Sequence, residues 1–230
     1  MTESSFSPDE ITAFRQSVYQ LFSECILHPP TVELLALFSN PEWKQSASAL
    51  LGPEAQHLSV NPAPEQEAKS LAVEHTALFV APGPQQPFPF ETNYRERRML
   101  NGESRPGLRL GAAASAVINI YREWGMRADL ETDELPDHAC VELRFMSMLV
   151  AAQRLAREAP DELCTRALLQ AQVDFLDQHI LQWFPQWLQC VHRRARRLFY
   201  KSAATVLRGF IETEKVTLDR LLETSLVRAC

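Results

Sequence analysis

Glycine is the scarcest structural tool in this chain of 230 residues, with seven in all. They are scattered, and no glycine-rich phosphate loop, G-x-S-x-G elbow or H-E-x-x-H helix can be assembled from the sequence. The five cysteines, Cys25, Cys140, Cys164, Cys190 and Cys230, are odd in number and far apart, with no C-x-x-C. That excludes a disulfide framework and a zinc cluster as readings and leaves reduced thiols, mostly in the core. No run approaches the roughly 18 apolar residues of a membrane span. Met1 to Glu10 lacks the charged-then-apolar order of a signal peptide, so the expectation is a cytoplasmic protein without stable membrane insertion. Positive charge is the sign in deficit: 23 Lys and Arg against 29 Asp and Glu give a net −6. Such a balance argues against a nucleic-acid binder and suits a basic partner.

Alternating apolar patterns are missing too. Apolar residues recur at spacings of three and four, which predicts an all-α fold, a single bundle-like domain of about ten helices with no convincing strand. Ser7-Pro8-Asp9-Glu10 is a capping box that opens a first helix, ended by His28-Pro29-Pro30. Short helices follow from Thr31 to Phe38, from Asn40-Pro41 to Gly52-Pro53, and from Glu65 to Phe79, after a polar linker at 59–64. Between Ala81 and Phe90 four prolines forbid helix and favour a stiff extended path, with Phe79, Phe88, Phe90 and Tyr94 as its rings. Glu91 to Leu100 reads as a helix stopped by Asn101-Gly102, and Leu108 to Trp124 as another with Gly125 as its cap. An acidic link at 126–135 is expected to act as a hinge between an amino-terminal part, 1–125, and a carboxyl-terminal part, 136–230. Such a hinge permits either a monomer or a dimer that swaps halves. Past it, a helix from Pro136 to Ala159, another after Pro160, a break at Phe184-Pro185, a last long helix to Phe210 and a terminal turn or two over 216–226 complete the pattern.

The helix from Pro136 carries the residues with the most chemical interest. Asp137 and His138 fall in its first turn, where free N–H groups favour an acidic side chain. Glu142 lies one turn beyond His138. The group either binds a partner or is structural, with Asp137 as a cap and His138 serving a neighbour. A helical metalloenzyme using His138 and Glu142 is a further reading, although two Glu-x-x-His pairs would be expected and only Glu54-Ala55-Gln56-His57 occurs. The run His192-Arg193-Arg194-Ala195-Arg196-Arg197 reads as a solvated basic face. With no visible catalytic machinery, composition and spacing point to a binding protein or interaction scaffold more than to an enzyme.

Three segments resemble one family, the cytoplasmic maturation chaperones of molybdenum-containing redox enzymes, the TorD, DmsD and NarJ type. Glu74-His75-Thr76-Ala77-Leu78-Phe79 with Gly83-Pro84 and Phe90-Glu91-Thr92-Asn93-Tyr94 is similar to E-Y-x-x-L-F, G-P and E-S-x-Y. Leu135-Pro136-Asp137-His138, Glu142-Leu143 and Phe145-Met146 match P-D-H-x-x-x-E-L-x-F-M. Phe175-Leu176, His179, Trp183, Pro185 and Trp187 are similar to F-L-x-x-H-x-x-x-W-x-P-x-F. The departures are His75 for tyrosine, Thr92-Asn93 within E-S-x-Y, and Trp187 for phenylalanine. The resemblance implies an all-helical, TorD-like protein that is not an enzyme. It would hold the apo catalytic subunit of a DMSO-reductase-type enzyme, with its twin-arginine signal peptide, until the molybdenum cofactor is inserted and the enzyme is exported. It further implies Asp137 and His138 as leader contacts, Pro136 and Glu142 as shapers of that turn, and Phe90, Glu91, Tyr94 and Phe79 around the groove. No stably bound cofactor is expected; a transient contact with molybdopterin guanine dinucleotide or a guanine nucleotide stays open.

Overall fold

The computed structural model describes residues 7–58, 64–81, 86–100, 103–107, 110–126, 134–158 and 162–228. The expected hinge, but for its ends, and the linker at 59–63 lie outside them. Helix α1, Pro8–Leu27, opens on the foreseen capping box: the Ser7 hydroxyl accepts from the Glu10 N–H at 3.2 Å, and the Glu10 carboxylate accepts from the Ser7 N–H at 2.7 Å. Thr31 caps α2, Val32–Ser39, and Asn40 caps α3, Pro41–Leu51, each by accepting backbone N–H groups that have no partner within their helix. Gly52, at φ 87°, closes α3 in the left-handed region that a side chain would resist. A 3₁₀ turn, Pro53–Leu58, follows; α4, Pro64–His75, then runs into a π turn over Thr76–Val80.

Here the structure departs from the sequence pattern. The helix expected over 91–100 stops early as α5, Glu91–Arg95, and the chain turns extended: β1, Arg98–Leu100, pairs antiparallel with β2, Glu103–Arg105. The Asn101-Gly102 dipeptide between them in sequence is a strong hairpin signal as well as a helix stop. Helix α6, Ala112–Glu123, takes a cap from outside itself, as Glu96 Oε1 accepts the Ala113 N–H at 2.6 Å.

Helix α7, Ala139–Glu158, begins three residues after Pro136 because the backbone before it is engaged elsewhere. Asp137 C=O accepts from Glu91 N–H at 3.0 Å and Ala139 N–H donates to Pro89 C=O at 2.8 Å, an antiparallel bridge between Phe90 and His138. Helix α8, Glu162–Phe175, leads through a π turn, Leu176–Ile180, into α9, Leu181–Arg194. Pro185 does not interrupt the chain as expected. It sits early in α9, straight after the wide turn, where a missing N–H disturbs least. The break comes at Ala195–Arg197, and the segment at 216–226 is part of one long α10, Leu198–Arg228.

Leu143, Phe145, Met146, Leu149 and Val150 make α7 the centre of the core. Helix α1 lies along it, tied by the Ser23 hydroxyl on Cys140 C=O at 2.9 Å and by Arg144 on Glu24 at 2.7 Å. A smaller apolar cluster gathers Leu35, Phe38, Leu71 and Leu78 under Phe199 and Tyr200. Arg15 is only 2% exposed, yet it is provided for: Glu214 takes its Nε at 2.7 Å, Gln172 its Nη2 at 2.5 Å and Gln153 its Nη1 at 3.3 Å. Tyr19 adds its hydroxyl to Glu214 at 3.2 Å. No helix among the described residues is long and apolar enough to cross a membrane.

Candidate functional site

The three sequence segments converge on one place. Beyond the Phe90–His138 bridge, Asp137 Oδ2 accepts from the Thr92 N–H at 3.1 Å and the Thr92 hydroxyl at 2.5 Å. Asp137 therefore caps α5, not the helix it precedes. His138 holds its own helix instead: its C=O accepts from Val141 and Glu142 N–H, and Nδ1 accepts the Cys140 N–H at 3.2 Å. Its ring meets Phe90 edge-on, with centroids 5.0 Å apart. Burial drives the His138 pKa down to about 3, leaving a neutral imidazole. The 3.7 Å approach of Glu134 is thus a polar neighbour and not an ion pair. Pro136 is fixed through its C=O, which accepts the Tyr121 hydroxyl at 3.0 Å.

Behind this turn lie two more buried carboxyl groups. Glu142 Oε2 accepts from Trp183 Nε1 at 3.0 Å. Burial first, and the nearby Glu91 carboxyl second, hold its pKa well above the usual carboxylate range. Glu91 faces His179 Nδ1 at 3.0 Å and takes a close bond from Arg95, which also donates to Gln178 C=O at 2.9 Å. The π turn that carries His179 adds a residue to the α8–α9 passage and brings the ring to this carboxyl, stacked on Phe175. Trp183 lies under Tyr94, centroids 5.6 Å apart. Trp187 donates to Pro87 C=O at 3.0 Å and pins the proline-aromatic stretch, while Phe79 packs against Trp187 and Tyr200. Two oxygens in this assembly, Asp137 Oδ1 and Glu142 Oε1, are buried with no hydrogen-bond partner among the described residues. Tyr121, in contact with the same field, is pushed up strongly by burial and then by Glu142, Glu91 and Asp137.

A pocket of about 350 Å³ opens beside this clamp, lined by Phe88, Phe90, Thr92, Pro106, Leu135 and Asp137 among others. Of the residues singled out from sequence, Phe90 and Asp137 reach it. Pro136, His138, Glu91, Glu142, Tyr94 and Phe79 stand behind or beside it and hold its walls. Sequence reasoning gave no site role to Thr92, Phe88, Pro106, His179 or Trp183. The last two lay in the third matching segment, whose spacing was the available sign. At Gly107 a Cβ would come within 2.4 Å of Thr92 C=O, so the chain after β2 can seat on α5 only with glycine. No group of three or more His, Cys, Asp or Glu among the described residues is placed to hold a metal ion. The helical pairing of His138 with Glu142 is not formed, since one ring caps α7 while the other side chain turns to Trp183.

A family model described as the nitrate reductase delta subunit matches residues 40–189, a span that contains every member of the clamp. The chain belongs to that family. Among curated proteins it is similar to the chaperone protein TorD of Vibrio cholerae serotype O1, 28% identical over 155 residues, which cover 66% of this chain and 64% of that protein. The alignment thus spans a little under two thirds of that relative's length. The perchlorate reductase assembly chaperone protein of Dechloromonas aromatica is 29% identical over 203 residues, 86% of this chain and 87% of that one. The selenate reductase assembly chaperone protein of Thauera selenatis is 27% identical over 90 residues, 39% and 45% of the two chains. For this family member, then, the three matching segments are one interlocked unit: the Phe90–His138 bridge joins the first to the second, Trp183 on Glu142 the third to the second, and His179 on Glu91 the third to the first. The Glu74 carboxylate also accepts the Arg196 and Arg197 N–H groups just ahead of α10, which the family model does not reach.

Proposed function

We propose that this protein is a cytoplasmic maturation chaperone. It binds the apo catalytic subunit of a DMSO-reductase-type molybdenum enzyme, together with its twin-arginine leader, assists cofactor insertion and assembly before export, and performs no reaction itself. The observation that carries this reading is Asp137. One oxygen is fixed on α5, the other lacks a hydrogen-bond partner among the described residues, and the residue lines an aromatic pocket. A buried acceptor left unpaired costs free energy until a donor arrives, and a leader with paired arginines next to an apolar stretch supplies a charged donor and a side chain for the rings. Glu134, exposed at the rim, extends the acidic approach. His138 adds no charge to that encounter, because it is neutral, and Glu142 shapes the site from within. A phosphate group suits an acidic pocket poorly, so the cofactor is expected to meet the client and not this cavity. Relatives named as chaperones or assembly chaperones for reductases support the same role.

Coexpression with a molybdenum-enzyme catalytic subunit, with and without its leader, tests it. The expected result is a complex that copurifies, with leader affinity falling as salt rises and when both leader arginines are replaced by glutamine. Failure of both leader and apo subunit to bind at low micromolar concentration would overturn the proposal.

A further inference from the structure

The β1–β2 hairpin is the one described element that shows its apolar residues to solvent and its charges to each other. Met99 is 71% exposed and Leu100 is 59% exposed. The register sets Arg98 directly opposite Arg105, and Leu100 opposite Glu103, so these four side chains share one face of the ribbon. Like charges across an antiparallel pair weaken it, and two three-residue strands are marginal on their own. Glu103 pairs with Arg105. The Arg98 side chain is exposed and has no hydrogen-bond or ion-pair partner among the described residues. In a chain of net charge −6, this arm is locally basic, flanked by Arg95 and Arg97. The outer edge of β1 carries no strand in the described sheet, and β2 runs directly into Pro106 and Gly107, which line the pocket next to Asp137.

We propose that this hairpin is a second docking arm for the same client: an extended, acidic segment of the mature catalytic subunit adds as a third strand along β1. A carboxylate of that segment sits beside Arg98, relieving its repulsion with Arg105, and an apolar side chain covers Leu100. Main-chain hydrogen bonds to an open edge give affinity, and the alternating side chains select the segment. The assignment rests on the chaperone reading, and it divides the client between two surfaces of opposite charge. The cationic leader goes to the pocket and the acidic segment to the hairpin. A second copy of this chain is the less suitable occupant, since it would bring another arginine-rich ribbon to the same edge.

The test uses overlapping peptides that tile the mature catalytic subunit, probed with the full chain as wild type, Arg98→Glu and Arg98→Lys, beside a titration of the isolated leader. Wild type is expected to retain acidic segments. Arg98→Glu should bind them about tenfold more weakly, Arg98→Lys should restore most of that binding, and the leader affinity should be unchanged in all three. Equal binding of the same segments by Arg98→Glu, retention of segments without acidic residues, or a change in the oligomeric state of the free protein on that substitution would each overturn the arm. Loss of leader binding by wild type would instead strike at the chaperone reading, and the peptide array would still report on the hairpin.

Discussion

Two polar clusters are buried in this molecule, and they are built on opposite principles. Around Arg15, one guanidinium donates to one carboxylate and two amide oxygens, a phenol donates to the same carboxylate, and each guanidinium nitrogen has an acceptor. Around Asp137, three carboxyl groups crowd together while Arg95 and His179 both serve Glu91, and two oxygens have no hydrogen-bond partner. The first cluster also borders a cavity, of about 340 Å³, but its donors and acceptors are matched, as in a structural network. The second is unbalanced and lies against an aromatic pocket. Unfinished polar burial, more than burial itself, is what the proposed leader site rests on.

Breaking the balanced cluster should have the largest effect. Arg15→Met strands Glu214 in the core and is expected to cost about 3–5 kcal/mol in urea unfolding, whereas Arg15→Met with Glu214→Met should recover much of it. If the single and double variants were equally destabilised, the pair would not be the unit described. In the unbalanced cluster, Asp137→Asn keeps an oxygen for Thr92, so stability should change by no more than about 1 kcal/mol while leader affinity falls about tenfold.

Within the unbalanced cluster, two buried groups should respond to pH in opposite directions. Glu142 has a folded pKa well above its ordinary 4.5, so its contribution is fully present below that value and is lost as pH rises toward the folded value. Glu142→Gln should accordingly flatten the decline of stability from pH about 5 to 8. His138, held at about 3 against an ordinary 6.5, contributes stability that is present above 6.5 and lost as pH falls toward 3; His138→Gln should soften that acid-side loss. Unfolding curves across pH check both, and curves unchanged by either substitution would contradict the assigned protonation states. The smallest effect is expected at Glu74, where Glu74→Ala removes the acceptor of the N–H groups ahead of α10 and should cost about 1 kcal/mol.

The parts legible in the sequence were those with local causes. Caps at Ser7, Thr31 and Asn40 and apolar spacings of three and four place most helices, and the three matching segments meet at the turn around Asp137. What escaped has either an ambiguous local cause or none. Asn101-Gly102 serves a hairpin as well as a helix end, and Pro185 is tolerated because a π turn precedes it. Arg15 and Glu214 are 199 residues apart and leave no local pattern. The structural alternative for Asp137 is a cap on its own helix; nothing near it in sequence tells that Thr92, 45 residues earlier, is the group it holds.

The most direct measurement compares the clusters through one ligand: the affinity of a twin-arginine leader peptide for wild type, Asp137→Asn and the Arg15→Met, Glu214→Met double variant, at low and high salt. The account predicts that the double variant binds as wild type does, with the same loss on adding salt, and that Asp137→Asn binds about tenfold more weakly with a shallower salt dependence. Equal affinity in all three proteins, or weakening in the double variant alone, would contradict it.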